Sequence, residues 1–371
     1  RCSLFVRQDS DIYLVLLQQK AEFLLRQGRM MKAVVVEATG GVEVLQYKDH
    51  EAPPQFSPLK ALVKNEYAGL NFIDTYHRSG LYPRDSPFIL GQEGGGVIEG
   101  LPNDPDSDHL GFKVGDRVVY GAFGSYADYL SVPLDKLVPV PDDMDMKTAI
   151  ACMTQGLTAH YLSSSVGAGI AKEGDWVLVY GVGSSTGQWT SQMCKLQGYK
   201  VIGTTSKGKV SDINNAKSAF GCDELIILEN ATGKSYSDYT SVDISSKAMD
   251  ITDGKGCKLI IDGIGKDTYE ISLQCLAKRG LFVSFGNASG AVPAFPVLRL
   301  LPQSAYMTRP KLNDYVATRE ELLERAKDVF TWVKEGKLNI VIDRVFELEQ
   351  VRAAHEYLEN GGAKGKVLLK L

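Results

Sequence analysis

From Asp175 onward, short apolar runs alternate with helix-like segments. The runs are DWVLVYG, KVIGTTS, ELIIL, KLIIDGIG and GLFVSFG, and among them lie STGQWTSQMCKLQGY, NNAKSAFG and DTYEISLQCLA. Strands that return through helices pair in parallel, and a parallel sheet needs helices on both of its faces. This half of the chain is therefore restricted to a doubly wound α/β sheet. In the first helical segment Trp189, Met193 and Leu196 share one face, and Gly198 is the expected stop.

The preceding stretch reads differently. KAVVVE, KALVKNEYAG, GGVIEG and GDRVVYG are strand-like, with a Pro-rich turn at Pro53-Pro54 and a polar surface loop at PNDPDSDHLG. The rhythm changes after PDDMDMKTAIACMTQGLTAHYL. The tail adds a helical stretch, REELLERAKDVFTWVKEG, and a closing strand, GKVLLKL.

Of the 371 residues 44% are hydrophobic and 23% charged, enough for two domains with their own cores. A net charge of −4 supplies no basic excess for nucleic acid or an anionic membrane. The apolar runs are strand-length, too short to span a bilayer. Six cysteines contain no C-x-x-C pair, which argues against a disulfide framework or a zinc site.

Residues 1–30 stand apart as an N-terminal extension. They lack an initial Met, reach Met30-Met31, and carry Leu14, Leu17, Ala21, Leu24 and Leu25 at helical spacing. The basic excess suits a targeting segment, which would make the protein mitochondrial. The acids Asp9, Asp11 and Glu22 suit instead an appendage ahead of a start at Met30 or Met31 and a cytoplasmic protein, which is the preferred reading.

The stretch VYGVGSSTG (Val179 to Gly187) is a strand, a glycine turn and a helix start, where backbone N–H groups and the helix dipole meet a pyrophosphate. Gly181 and Gly183 suit the turn, Gly187 suits close packing of helix on strand, and Ser184 stands where the backbone must approach phosphate. Ser184, Ser185 and Thr186 carry hydroxyls that either donate to phosphate or cap the helix. About 20 residues on, where an acid would read a ribose 2′-hydroxyl, the chain has GTTSKGK. Ser206, Lys207 and Lys209 suit a 2′-phosphate, so NADPH is expected over NADH. The alternative is that the lysines are solvated loop residues.

GLNFIDTYHRSGLYP (residues 69–83), followed by FILGQEGGGVIEG, resembles the zinc-free quinone oxidoreductases of the medium-chain dehydrogenase/reductase superfamily, the zeta-crystallin-like group. GDRVVYG, QGLTAHYL, GKDTYEISLQCLAKRGLFVSFGNASG, TRPKLNDYVATREEL and GKVLLKL agree in order and spacing, so the resemblance runs from Met31 to Leu371. It implies a GroES-like β-rich catalytic domain at 31–153, completed by 298–371, and a Rossmann cofactor domain at 154–297. Where zinc alcohol dehydrogenases have Gly-His-Glu, this chain has Gly91-Gln92-Glu93, which implies no metal.

The implied activity is NADPH-dependent reduction of a small quinone, with reduction of an enone as the alternative, in a homodimer. By the same resemblance Asn71, Asp74, Tyr76 and Tyr82 line the nicotinamide and acceptor cleft. Gln155, Thr158 and Tyr161, and the strand-end residues Phe285, Gly286 and Asn287, face nicotinamide. Asp74 has a second reading, that it holds its own turn, and Tyr76 a second reading as core. The family's phosphate-gripping tyrosine position is Leu228 here, and a basic position is Gly361, with Lys364 and Lys366 close by. A cofactor-poor structural or RNA-binding relative is the non-enzyme alternative.

Overall fold

The computed structural model describes residues 30–53, 59–102, 108–210, 213–232 and 236–371. The expectations for the extension before Met30, for Pro54 and for most of the polar loop after Pro102 lie outside the described residues.

The alternation after Asp175 forms a six-stranded sheet, parallel throughout. Its order is Glu224–Leu228, Lys200–Ser206, Trp176–Val179, Cys257–Asp262, Leu276–Ser284 and Tyr306–Thr308. Both faces are buried, which is why the strands read as unbroken apolar runs rather than alternating ones. Val177, Val179, Val201, Ile261 and Val283 share one core; Leu178, Ile202, Ile226, Ile260 and Phe282 share the other. The chain starts in the middle at Trp176–Val179 and winds outward both ways. The crevice between that strand and Cys257–Asp262 is the switch point at which such sheets bind ligands. The sheet does not end at residue 297, the expected boundary: Tyr306–Thr308 is its sixth strand.

The helix Ser185–Leu196 stops where Gly198 takes φ of +80°, as its sequence implied. Its packing differs from the expected face. Trp189 and Met193 turn to the helix Arg319–Lys334 and the turn Cys152–Leu157, while Cys194 faces the sheet. Leu196, in the last turn, is 40% exposed. The helix is thus buried from two sides, and one stripe does not describe it.

The β-rich half is a seven-stranded sheet beside a three-stranded one. Lys60–Leu70 is its spine, pairing antiparallel with Gly94–Gly100, Tyr129–Pro133 and the chain's last strand, Lys366–Lys370. The C-terminal segment therefore returns to the first half, with Val367 opposite Leu70. Arg78, from the helix Phe72–Ser79, makes a two-point ion pair with Glu359 of the helix Val351–Glu359, at 2.7 and 2.8 Å. Beside it His355 is buried, and that burial, with Arg78 adding to it, holds its imidazole down at about 3 and neutral.

One charge lies deeper. Lys366 begins a strand whose next three residues are all buried, and its ammonium pairs with the Glu93 carboxylate at zero side-chain exposure for both. Removing one member strands the other charge in the interior. We expect Lys366→Met to cost about 3–5 kcal/mol in urea denaturation. The double variant Lys366→Met/Glu93→Gln should recover part of that loss, and equal losses would show that the pair contributes packing alone.

Candidate active site

The strand Trp176–Val179 ends in a turn that only a few backbones allow. Gly181 takes φ of +71°, and Ser184 donates to its carbonyl through both the main-chain N–H (2.9 Å) and the hydroxyl (2.6 Å). The Ser184 hydroxyl is thus spent within the loop; it neither caps the helix nor points outward. Ser184 is still the N-cap by position, with extended backbone. Gly187 permits the close approach of helix to turn, since a Cβ there would stand 2.2 Å from the Gly181 carbonyl oxygen. Ser185 is buried, and Thr186 opens the helix beside it. The first N–H groups of this helix have no carbonyl within it to bond, so they are free for an anion.

Beside this loop lies the end of Lys200–Ser206. Thr205 Oγ1 is buried, faces Gly183 and has no partner among the described residues. Ser206 is buried as well. Lys207 turns away to Glu229 on the neighbouring strand end, at 3.4 Å and in solvent. Lys209 is the lysine that packs on the loop. Its side chain touches Gly183, and its ammonium donates to the Ala363 carbonyl at 2.6 Å. Burial brings that ammonium down to about 8, with Lys364 adding to the effect and Asp343 opposing it. Lys364 itself is exposed, and its main-chain N–H bonds to Asp343. Leu228 is a buried sheet residue.

Across the crevice, Asn71 is held on every polar atom. Its Nδ2 donates to Glu93 Oε1 (2.8 Å), its Oδ1 accepts from Lys366 Nζ (3.0 Å), and its N–H donates to Asp74 Oδ2 (2.8 Å). Glu93 Oε2 accepts from the Thr154 N–H at 2.6 Å. Asp74 is fully buried and closes the first turn of the helix Phe72–Ser79, with the Tyr126 hydroxyl donating to it at 2.9 Å. Burial raises its carboxyl to about 7, against the pull of the Asn71 N–H and Tyr126. These contacts are those of a residue holding its turn.

Two helical residues farther on, the side chain faces the crevice. Tyr76 packs edge to face on Tyr82, with centroids 5.2 Å apart. The Tyr76 hydroxyl accepts from the Asn287 main-chain N–H (3.1 Å), and burial holds its phenol up at about 12. The Tyr82 hydroxyl lies 3.2 Å from the Asn287 amide and accepts from Arg309 at 2.9 Å. Tyr76 and Tyr82 of the first half therefore meet Asn287 and Arg309 of the second. Gly286 gives its carbonyl to Arg309 (3.0 Å), and the Phe285 ring lies over Gly263.

Gln155 lies in a π-helical turn, Cys152–Leu157, inserted between two α-helical stretches. Such turns mark functional sites more often than chance, and Gln155 Oε1 is buried without a partner among the described residues. Thr158 is half-buried on the next turn. Tyr161 is almost fully buried and stacks on Tyr315 at 4.3 Å, in the sheet's core.

The residues fit a dinucleotide. The glycine turn, the open helix start and two orphaned buried oxygens, Thr205 Oγ1 and Gln155 Oε1, all ask for a polar guest. They do not fit zinc. Among the described residues no three His, Cys, Asp or Glu side chains converge. Glu93 is committed to Lys366, Asn71 and Thr154, and burial pushes the Cys152 thiol far up, away from the thiolate a metal needs.

Lys366, Tyr126 and Arg309 have no role in the sequence-based assignment. For Lys366 a signal was present: a charge opening the otherwise apolar run KVLLKL demands a buried partner. Arg309 and Tyr126 carry no such local mark.

The alcohol dehydrogenase GroES-like domain family matches residues 57–142, and the zinc-binding dehydrogenase family matches residues 230–369. A quinone oxidoreductase of Pseudomonas aeruginosa is 37% identical, covering 92% of this chain and 99% of that protein. The crystal structure of Escherichia coli quinone oxidoreductase complexed with NADPH superposes with a TM-score of 0.81 at 34% identity, covering 92% of this chain and all of that one. A 2-haloacrylate reductase of Burkholderia is 30% identical over 92% of this chain and 99% of that protein. With a GroES-like half, a Rossmann sheet and these relatives, the chain belongs to the quinone oxidoreductase family of the medium-chain dehydrogenase/reductase superfamily.

Proposed function

We propose that this protein is an NADPH-dependent quinone reductase working without zinc. The observation that carries the reading is the crevice itself: Tyr76 and Tyr82 from the β-rich half meet Asn287 from the end of a Rossmann strand. An aromatic wall there suits a flat acceptor, and the glycine turn lies at the neighbouring strand ends. NADPH, when bound, supplies the hydride. The chain's own work is positioning, which is where most of the barrier lowering in such a transfer lies. Tyr76, a neutral phenol at about 12, supplies an aromatic wall and fixes the Asn287 main chain. Asn71, locked by Lys366 and Glu93, gives the crevice a rigid floor, and Asp74 holds the helix that carries Tyr76.

In this reading Gln155 and Thr158 face the nicotinamide along with Phe285, Gly286 and Asn287. Tyr161 supports them from the core. The loop Gly181 to Gly187 takes the pyrophosphate. Ser206, Lys209 and Lys364 take the 2′-phosphate, with Lys207 outside them. The catalytic unit comprises 31–153 and the last segment of the chain, and the cofactor unit runs on through Tyr306–Thr308.

A cytoplasmic location agrees with the free, buried thiols of Cys152, Cys194, Cys222, Cys257 and Cys275. No helix among the described residues is long and apolar enough to cross a membrane. The protein is a homodimer in this proposal. Val297, Leu298 and Leu301 are 78%, 71% and 67% exposed, and they precede the edge strand Tyr306–Thr308 by a few residues in the chain. An apolar patch beside an open sheet edge is a surface made for pairing.

Enone reduction is a second reading, which the 2-haloacrylate reductase relative favours.

Steady-state assays over a panel of quinones and enones decide between acceptors. NADPH should exceed NADH roughly 10-fold or more in kcat/KM, the worth of one charge-assisted contact to the 2′-phosphate. Equal rates would remove the cofactor preference, and no detectable NADPH binding by fluorescence would favour a scaffold. Ser184→Gly should leave the NADPH Kd within about 3-fold, because its hydroxyl serves the loop rather than the phosphate; a larger loss would assign the hydroxyl to the ligand. Light scattering should find a dimer, and Leu298→Glu should give a monomer; a monomeric parent protein would end the dimer proposal.

A further inference from the structure

Arg309 follows the edge strand Tyr306–Thr308 and reaches back to the crevice. Its Nη1 donates to the carbonyl oxygens of Ser284 (2.7 Å) and Gly286 (3.0 Å). Its Nη2 donates to the Tyr82 hydroxyl at 2.9 Å. With the Asn287 amide oxygen turned toward these donors, Nη2 meets that oxygen too, at 2.9 Å, while the amide nitrogen donates to Gly286. Every one of these partners is a neutral oxygen. Among the described residues no carboxylate pairs with Arg309, although other arginines of this chain, Arg78 and Arg299, have one.

A guanidinium clamped by two main-chain carbonyls has little freedom left to lose on binding. It is also an exposed positive charge beside the aromatic wall, with no carboxylate partner among the described residues. Such a group is a pre-organised donor for an oxygen that becomes negative during a reaction. The kind of oxygen it accommodates is visible in Tyr82: an oxygen in the plane of a flat six-membered ring, held at hydrogen-bond distance, with Tyr76 packed edge to face against the ring. A quinone presents its carbonyl oxygen in the same way.

We propose that Arg309 receives the carbonyl oxygen of the acceptor through Nε–H, the one N–H of its five without a partner among the described residues, and holds the charge that develops on that oxygen. The inference rests on the reductase reading above. In the reaction the acceptor gains a hydride, with its electron pair, from the reduced nicotinamide, which is oxidised to the nicotinamidium cation. The acceptor's oxygen takes the negative charge beside Arg309, and water supplies the proton that completes the product. An enone reduced at its β-carbon develops the same oxygen charge, so Arg309 serves either acceptor class. The 2′-phosphate and pyrophosphate contacts lie elsewhere, at Lys209 and the glycine loop, and Arg309 is not needed for them.

The test measures kcat and KM with 1,4-benzoquinone and with a simple enone, and NADPH Kd by fluorescence, in Arg309→Ala and Arg309→Lys. Arg309→Ala should lose roughly 100-fold in kcat/KM for whichever acceptor the parent protein reduces, with the NADPH Kd changed less than about 3-fold. Arg309→Lys, which keeps the charge but not the fork, should fall between. Added guanidinium should restore activity to Arg309→Ala, and ethylammonium at the same concentration should not. Unchanged kcat/KM overturns the proposal. So does a loss fully matched by weaker NADPH binding and not rescued by guanidinium, which would make Arg309 a support for the cofactor. If the parent protein oxidises NADPH with no acceptor, the reductase reading itself falls, whatever the variants do.

Discussion

The Lys366–Glu93 pair is the interaction on which the rest of the structure depends. Both charges are completely buried, so each is tolerable only because of the other. Glu93 lies just before the strand Gly94–Gly100, and Lys366 opens the last strand of the chain. Their meeting fixes that strand against the spine Lys60–Leu70. It also fixes Asn71, whose amide has a donor on one side and an acceptor on the other, and Thr154, whose N–H reaches the second carboxylate oxygen. Thr154 belongs to the π-helical turn that carries Gln155. One ion pair thus sets the floor of the crevice and the entry into the second half. Apolar residues of similar volume would cost less to bury, but they could not orient an amide.

The Rossmann sheet makes a complementary contribution. Its strands are buried on both faces and leave no side chain free for chemistry. What they offer is their ends: the turn at Gly181, Thr205 and Ser206, the Asp262 loop, and Phe285 to Asn287. Asp262 illustrates how such an end is made. Its buried carboxylate accepts the Ile264 and Gly265 N–H groups and the Thr268 and Ser272 hydroxyls, so it shapes the loop and is not available to a ligand. Glu93 is consumed in the same way, whereas Asp74 is committed through Oδ2 alone and its buried Oδ1 has no partner among the described residues.

The fold was legible because its signals are local. Strand–helix alternation, the φ-permissive Gly181 and the stop at Gly198 each follow from a few adjacent residues, and the motif GLNFIDTYHRSGLYP carried the family. Asp74 was legible in both of its readings, and its contacts are those of a helix cap. Less was visible where residues far apart in sequence meet. Tyr126 reaches Asp74, and Arg309 reaches Tyr82 across more than two hundred residues. Lys207 and Lys209 lie two apart in one short helical turn, and which of them faces the loop depends on Glu229 and Ala363, far away in sequence. Leu196 followed the helical period yet is exposed, because that helix is covered by two different neighbours rather than by one surface.

The end of the chain joins the two functional regions over a very short distance. Ala363 gives its carbonyl to Lys209 at the glycine loop, and Lys366 holds Asn71 at the crevice floor. They stand three positions apart, about 10 Å of extended chain. Lys364 and Asp343 stand between, and both act on the charge of Lys209. The segment cannot shift at one end without pulling at the other, since Lys366 is buried and cannot follow. Lys209 and Asn71 are thus both tied to this one short segment. The return of the C-terminus to the first sheet does more than close that sheet; it makes the glycine loop and the crevice floor parts of one strap.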